Sequence, residues 1–146
     1  MNRYPLLIMI VLLGLCWSFS WLFPLPYGLG FYGKITGLLA MASGIFLLFI
    51  AAGLFMARKT TVMPTRSPDR LVTEGIYRVS RNPMYLGMLL ILSGFPLIMD
   101  TIIGLICPLI FFILMDRIVI PREENVIEGV FGEAYLEYKS KIRRWI

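Results

Sequence analysis

The sequence predicts an all-α membrane protein: four transmembrane helices, a polar cytosolic loop before the third, and an amphipathic helix at the C-terminus. Three observations carry this. Of the 146 residues, 58% are hydrophobic and 16% charged, with a mean hydropathy of +0.79, outside the range of soluble globular chains. The apolar residues fall into four runs of roughly helix-spanning length. The basic residues gather into two clusters separated by an apolar hairpin, the asymmetry that orients a membrane protein.

The first run, Tyr4 to Phe23, follows Arg3 as a signal peptide would, but it is too long and lacks a small-residue cleavage site, so a retained helix is expected. The second, Phe31 to Met56, places Gly33, Gly37, Ala40 and Gly44 at helical spacing. Such a stripe of small residues lets membrane helices approach closely, and Gly87 and Gly94 offer the same on the third run. The third, Met84 to Met99, is short: counted from Pro83 it has 17 residues, or ~26 Å against ~30 Å of hydrocarbon. The fourth runs from Thr101 to Ile120. After Pro121 the chain is amphipathic, with Val126, Ile127, Val130 and Phe131 on one face, a break at Gly132, then Tyr135, Tyr138, Ile142 and Trp145 as a second stripe suited to a membrane interface. Residues 1–146 read as one membrane domain, with two helices in 1–56 and the polar chemistry in 57–146.

The segment 57–81 carries Arg58, Lys59, Arg66, Arg70, Arg78 and Arg81, and the tail carries Arg117, Arg122, Lys139, Lys141, Arg143 and Arg144. Both are expected in the cytosol with both termini, leaving Lys34 outside. The net charge of +5 fits this bias and an attraction to anionic lipid; nothing separate supports nucleic-acid binding. The chain has no histidine, so histidine acid–base chemistry is excluded, and no metal site is expected. Cys16 and Cys107 lie in apolar runs and read as packing residues.

The polar residues concentrate in two places. Gly75-Ile76-Tyr77-Arg78-Val79-Ser80-Arg81-Asn82-Pro83-Met84-Tyr85-Leu86-Gly87 opens the third helix. Asn82 suits its N-cap and Pro83 its first turn, while the unpaired amides there favour an anion. Arg122-Glu123-Glu124 follows the fourth run, where paired carboxylates could meet a cationic or hydroxylated ligand or simply suit a helix start. Asp116 is expected to pair with Arg117, Arg78 or Arg81.

These stretches, with Leu71-Val72-Thr73-Glu74 before them and Phe131-Gly132-Glu133-Ala134-Tyr135 and Tyr138 after them, resemble the isoprenylcysteine carboxyl methyltransferase and phospholipid methyltransferase superfamily. The resemblance covers roughly Pro64 to Ile146. It implies an integral membrane methyltransferase with S-adenosylmethionine as donor, its core in 57–146. Carried over by position, the cofactor contacts would be Asp69, Arg70, Leu71, Val72, Tyr77, Asn82, Pro83, Met84, Tyr85, Glu123 and Glu124, with Arg81, Tyr85 and Glu123 at the reaction centre. Eukaryotic members usually carry His at the Asn82 position and an Arg one turn before the first glutamate, where this chain has Val119. The acceptor stays open among prenylated peptide, phospholipid amine, isoprenoid and small thiol, as does the oligomeric state. The resemblance implies a lipophilic substrate entering from the bilayer, in a prokaryotic inner membrane or, alternatively, the endoplasmic reticulum. Two other readings compete: an NADPH-dependent sterol-type reductase, whose C-terminal pattern is similar, and a non-enzymatic helical scaffold.

Overall fold

The computed structural model describes residues 3–23, 25–26, 28–57 and 71–146. The described chain is helical throughout, without strands: α1 (Arg3–Leu22), α2 (Gly30–Ala57), α3 (Pro83–Ile98), α4 (Ile106–Leu114), α5 (Ile120–Phe131) and α6 (Glu133–Lys141). Three helical runs are long and apolar enough to cross a bilayer, Tyr4–Leu22, Gly30–Leu54 and Ile103–Phe131, and Pro83–Ile98 is a shorter apolar helix. Large apolar side chains such as Trp21, Phe46 and Phe49 stand in the open on the outer surface. Water would oppose such exposure, whereas hydrocarbon accommodates it, and the chain is an integral membrane protein.

The short α3 leans on α2 through the glycines expected to permit it. A Cβ placed on Gly37 would lie 2.6 Å from the Gly94 carbonyl oxygen, and one on Gly44 would lie 2.5 Å from that of Gly87. The relation is reciprocal, since Gly94 and Gly87 meet the carbonyls of Gly37 and Gly44. Backbone thus touches backbone at two levels seven residues apart, which only glycine permits. On its other side α3 packs into the core, where Tyr85, Met88 and Leu92 meet Met9, Leu12 and Cys16 of α1 and Cys107, Phe111, Met115 and Ile120. Cys16 and Cys107 are buried there as free thiols.

The fourth run does not stop at Ile120. It continues to Phe131 through a π-helical turn, Met115–Val119, in which the Ile120 amide bonds the Met115 carbonyl. One extra residue in a turn rotates everything beyond it by ~100° relative to an unbroken α-helix. The buried stripe records the shift, running Phe111, Met115, Ile120, Glu124 rather than at a steady spacing of four. Gly132 breaks the chain as expected, at φ 52 and ψ −125, a conformation suited to glycine. The C-terminal stretch forms two helices, α5 and α6, on either side of Gly132, with Val126 and Val130 of the expected apolar face exposed on α5. The second stripe departs from expectation: α6 ends at Lys141 and Ile142 is extended, so the last residues turn back toward the start of α3 instead of extending the helix.

Candidate functional site

Asn82 precedes α3 and Pro83 occupies its first position, where the ring's fixed φ and missing amide hydrogen are no handicap. Asn82 holds the N-cap position as expected, but its side chain makes no capping bond. Its Nδ2 donates instead to the Arg144 carbonyl at 3.2 Å, while its own amide donates to Ser80 Oγ at 3.1 Å. The Arg81 amide donates to the Arg143 carbonyl at 3.1 Å and Ser80 Oγ donates to the Arg144 carbonyl at 3.3 Å. The chain end is therefore strapped across the mouth of α3.

Beyond the π turn, Glu123 and Glu124 point in different directions because consecutive helical residues lie ~100° apart. The half-buried Glu123 accepts a hydrogen bond from the Tyr85 hydroxyl, 2.8 Å from each carboxylate oxygen, joining α5 to α3. Glu124, 5% exposed, lies between two guanidinium groups: Arg81 Nη1 at 3.1 Å from Oε1 and Arg144 Nη2 at 3.0 Å from Oε2. A carboxylate buried this far requires such neutralisation. Arg144 is in turn bound to Asp116, with Nη1 at 3.1 Å from Oδ1 and 3.2 Å from the backbone oxygen. The Trp145 indole donates to the same Oδ1 at 3.0 Å. Asp116 pairs with the largely exposed Arg117, one of its expected partners, at 3.7 Å, while Arg144 and Trp145, which were not expected, hold it more closely.

Around this polar cluster stand buried rings. Arg81 Nη1 donates to the Tyr135 hydroxyl at 3.4 Å, and the Tyr138 hydroxyl donates to the Tyr77 carbonyl at 2.7 Å, fastening α6 to the turn Gly75–Arg78. Burial, helped by the Glu124 charge, pushes the Tyr135 hydroxyl up to about 12, and burial raises Tyr77 and Tyr138 as well. Arg144 is raised chiefly by its hydrogen bond to Glu124. Nε of Arg81, Nε of Arg144 and Oε1 of Glu124 are buried without a hydrogen-bond partner, although Oε1 has its ionic contact with Arg81.

Of the expected site residues, Arg81, Asn82, Tyr85, Glu123 and Glu124 converge on this cluster. Tyr77 and Pro83 are buried beside it and Met84 is half-buried. Leu71 and Val72 lie half-buried in the irregular segment leading to the Gly75 turn, and Asp69 and Arg70 lie outside the described residues. Arg144, Trp145 and Ser80 were not anticipated. The basic tail reads as an orientation signal, yet Arg143-Arg144-Trp145 at the chain end also offers donors that a buried acid needs.

The architecture defines a helical integral membrane protein with a buried acid–arginine–tyrosine cluster at one end of its short third helix. The phospholipid methyltransferase family model matches residues 32–134, more than half of the chain, and the chain belongs to that family of membrane methyltransferases. It is 38% identical over 63 residues to an uncharacterized protein of Haemophilus influenzae, covering 43% of this chain and 100% of that protein. It is also 33% identical over 76 residues to protein-S-isoprenylcysteine O-methyltransferase B of Arabidopsis thaliana, covering 50% of this chain but 37% of that longer protein. No solved structure matches the chain.

Proposed function

We propose that this membrane methyltransferase uses S-adenosylmethionine to methylate a lipophilic acceptor, at a site built on the Tyr85–Glu123 pair and the adjoining Arg81. The observation carrying the reading is the Tyr85 hydroxyl bonded to Glu123 at 2.8 Å, which aims a carboxylate at the start of α3 beside a buried arginine. The donor set fits an amino-acid cofactor. Glu123 suits an ammonium or ribose hydroxyls, while the partnerless Nε of Arg81 suits a carboxylate. The faces of Tyr77 and Tyr85 suit a sulfonium.

When bound, S-adenosylmethionine supplies a methyl group activated for in-line displacement. The chain's own residues then orient the reactants and exclude water. Tyr85 fixes the Glu123 carboxylate, and Glu124 fixes Arg81 rather than reaching the cofactor, since both its oxygens face arginines. A carboxylate or thiolate acceptor needs no base. An amine acceptor must reach the site neutral, and Glu123 is the nearest base to receive its proton. The acceptor approaches sideways from the bilayer toward Arg81 and Tyr85, with the site and both termini in the cytosol, the membrane a prokaryotic inner membrane, and anionic lipid at the basic face.

Calorimetry of detergent-purified protein against S-adenosylmethionine, its demethylated product and NADPH tests this. The two sulfur compounds bind to the wild type, and Glu123→Ala weakens both about tenfold or more, as loss of a charge-assisted bond requires. Binding of NADPH alone, or unchanged donor affinity in a folded Glu123→Ala protein, sinks the assignment.

A further inference from the structure

The π turn Met115–Val119 has a cause in the sequence, Pro121 just beyond it. In an unbroken α-helix the proline ring would strike the Arg117 carbonyl one turn back, and widening the turn by one residue moves the ring aside. The same turn leaves the Asp116 carbonyl without a helical partner. The Ile120 amide, which would serve it in an α-helix, is given to Met115, and the next position is Pro121, which has no amide hydrogen. A carbonyl left open in this way needs a donor from elsewhere. Arg144 supplies it: Nη1 reaches the Asp116 backbone oxygen at 3.2 Å and its Oδ1 at 3.1 Å, while Nη2 reaches Glu124 Oε2 at 3.0 Å. Asp116 stands within the π turn and Glu124 beyond it, so one planar, forked side chain grips the helix on both sides of the irregularity. Trp145 steadies the grip, its indole donating to Asp116 Oδ1 at 3.0 Å and its ring lying 5.0 Å from that of Phe112.

We propose that Arg144 is a positioning residue: by bridging Asp116 and Glu124 across the π turn it holds the helix register that delivers Glu123 to the Tyr85 hydroxyl. Without the extra residue in the turn, each residue beyond it takes the place of its successor. Glu123 would then fill the place of Glu124 between the guanidinium groups, and Arg122, a cation, would face Tyr85. The usual forces that fix a register are weak against this slip. Val119 would replace Ile120 in the core, one apolar side chain for another, and one glutamate would replace the other between the arginines. The bond from Arg144 to the Asp116 backbone oxygen breaks the tie, because that oxygen is open only in the π register. The register itself is independent of the chemistry; its consequence for the reaction rests on the methyl-transfer reading of Tyr85 and Glu123.

Pulsed electron paramagnetic resonance on full-length protein in detergent tests the register, and calorimetry against S-adenosylmethionine tests its consequence. Nitroxide labels go on Val126→Cys of α5 and on Phe49→Cys of α2 or Trp21→Cys of α1, all exposed positions, while the buried Cys16 and Cys107 escape labelling. A ~100° rotation carries a point ~5 Å from the helix axis by ~8 Å, so a slip moves the label on α5 by several ångströms. Lost stability alone does not move that distance in the folded protein. Pro121→Ala, which permits an unbroken α-helix, is expected to keep the wild-type distances and donor affinity, because Arg144 still holds the π turn. Pro121→Ala/Arg144→Ala is expected to shift the distances by several ångströms and weaken donor binding about tenfold. Adding Glu124→Gln, which leaves no charge half-neutralised, gives the same comparison in a sturdier protein should the double variant not fold. Unchanged distances on loss of Arg144 show that core packing holds the register, and a shift in Pro121→Ala alone shows that the proline does; either overturns the proposal. So does a shifted double variant that binds the donor as tightly as Pro121→Ala. The expected distances in a wild type that binds no donor support the register and sink the methyl-transfer site instead.

Discussion

Arg144→Ala is expected to be the most damaging single truncation in the polar cluster. Its guanidinium reaches Glu124 Oε2 at 3.0 Å, Asp116 Oδ1 at 3.1 Å and the Asp116 backbone oxygen at 3.2 Å. Hydrogen bonds to charged groups contribute about 1.5–3 kcal/mol each, but the three cannot simply be added. Asp116, 22% exposed at its side chain, recovers part of its loss from water and keeps the Trp145 indole. Glu124 at 6% side-chain exposure cannot recover, and Arg81 alone is left to neutralise it. Removing one partner of a buried pair costs about 3–5 kcal/mol, and the half-open side of this one argues for the lower end, about 3 kcal/mol. Denaturant unfolding of the protein in detergent micelles, followed by circular dichroism, measures it. The double variant Arg144→Ala/Glu124→Gln should regain at least 1 kcal/mol of that loss, because no charge is then left half-neutralised. A single variant within about 0.5 kcal/mol of wild type, or a double variant no better than the single, refutes the reasoning.

Gly94→Ala, whose new methyl would strike the Gly37 carbonyl and come within 2.7 Å of Met41 Cγ, should cost about 1–3 kcal/mol in the same unfolding assay. Gly14→Ala, with nothing within 4 Å, should instead gain up to about 1 kcal/mol from helix propensity. Tyr85→Phe leaves the fold intact but frees Glu123 from its aiming bond, so calorimetry should register about tenfold weaker donor binding for about 1.4 kcal/mol lost. Alkaline titration should unfold the protein through its tyrosines. Tyr135 is pushed up to about 12, with Tyr77 and Tyr138 raised too, so the folded state holds these protons more tightly. Their contribution is intact below the ordinary tyrosine value of about 10 and is lost as pH rises past about 12. Tyrosinate absorbance should therefore lag in the folded protein, and a titration matching the denatured chain would contradict the burial.

The long apolar helices, the glycine contacts between α2 and α3, the Pro83 helix start and the Gly132 break were legible in the amino-acid order. Each is a local consequence of apolar run length, helical spacing, or a ring or missing Cβ constraining one residue's backbone. Even the family was readable, because its motifs are contiguous. The roles of adjacent glutamates were not. Whether Glu123 or Glu124 turns inward depends on the register inherited from the π turn, and one residue of slippage in a helix changes the face by ~100°. The closer partner of Asp116 was equally hidden: Arg117 was foreseen next to it, but Arg144 lies 28 positions away and reaches it only after the chain reverses beyond Lys141. Short-range periodicity determined where the helices run; which charges meet was decided by long-range docking, in which burial and desolvation rather than sequence distance select the pairs.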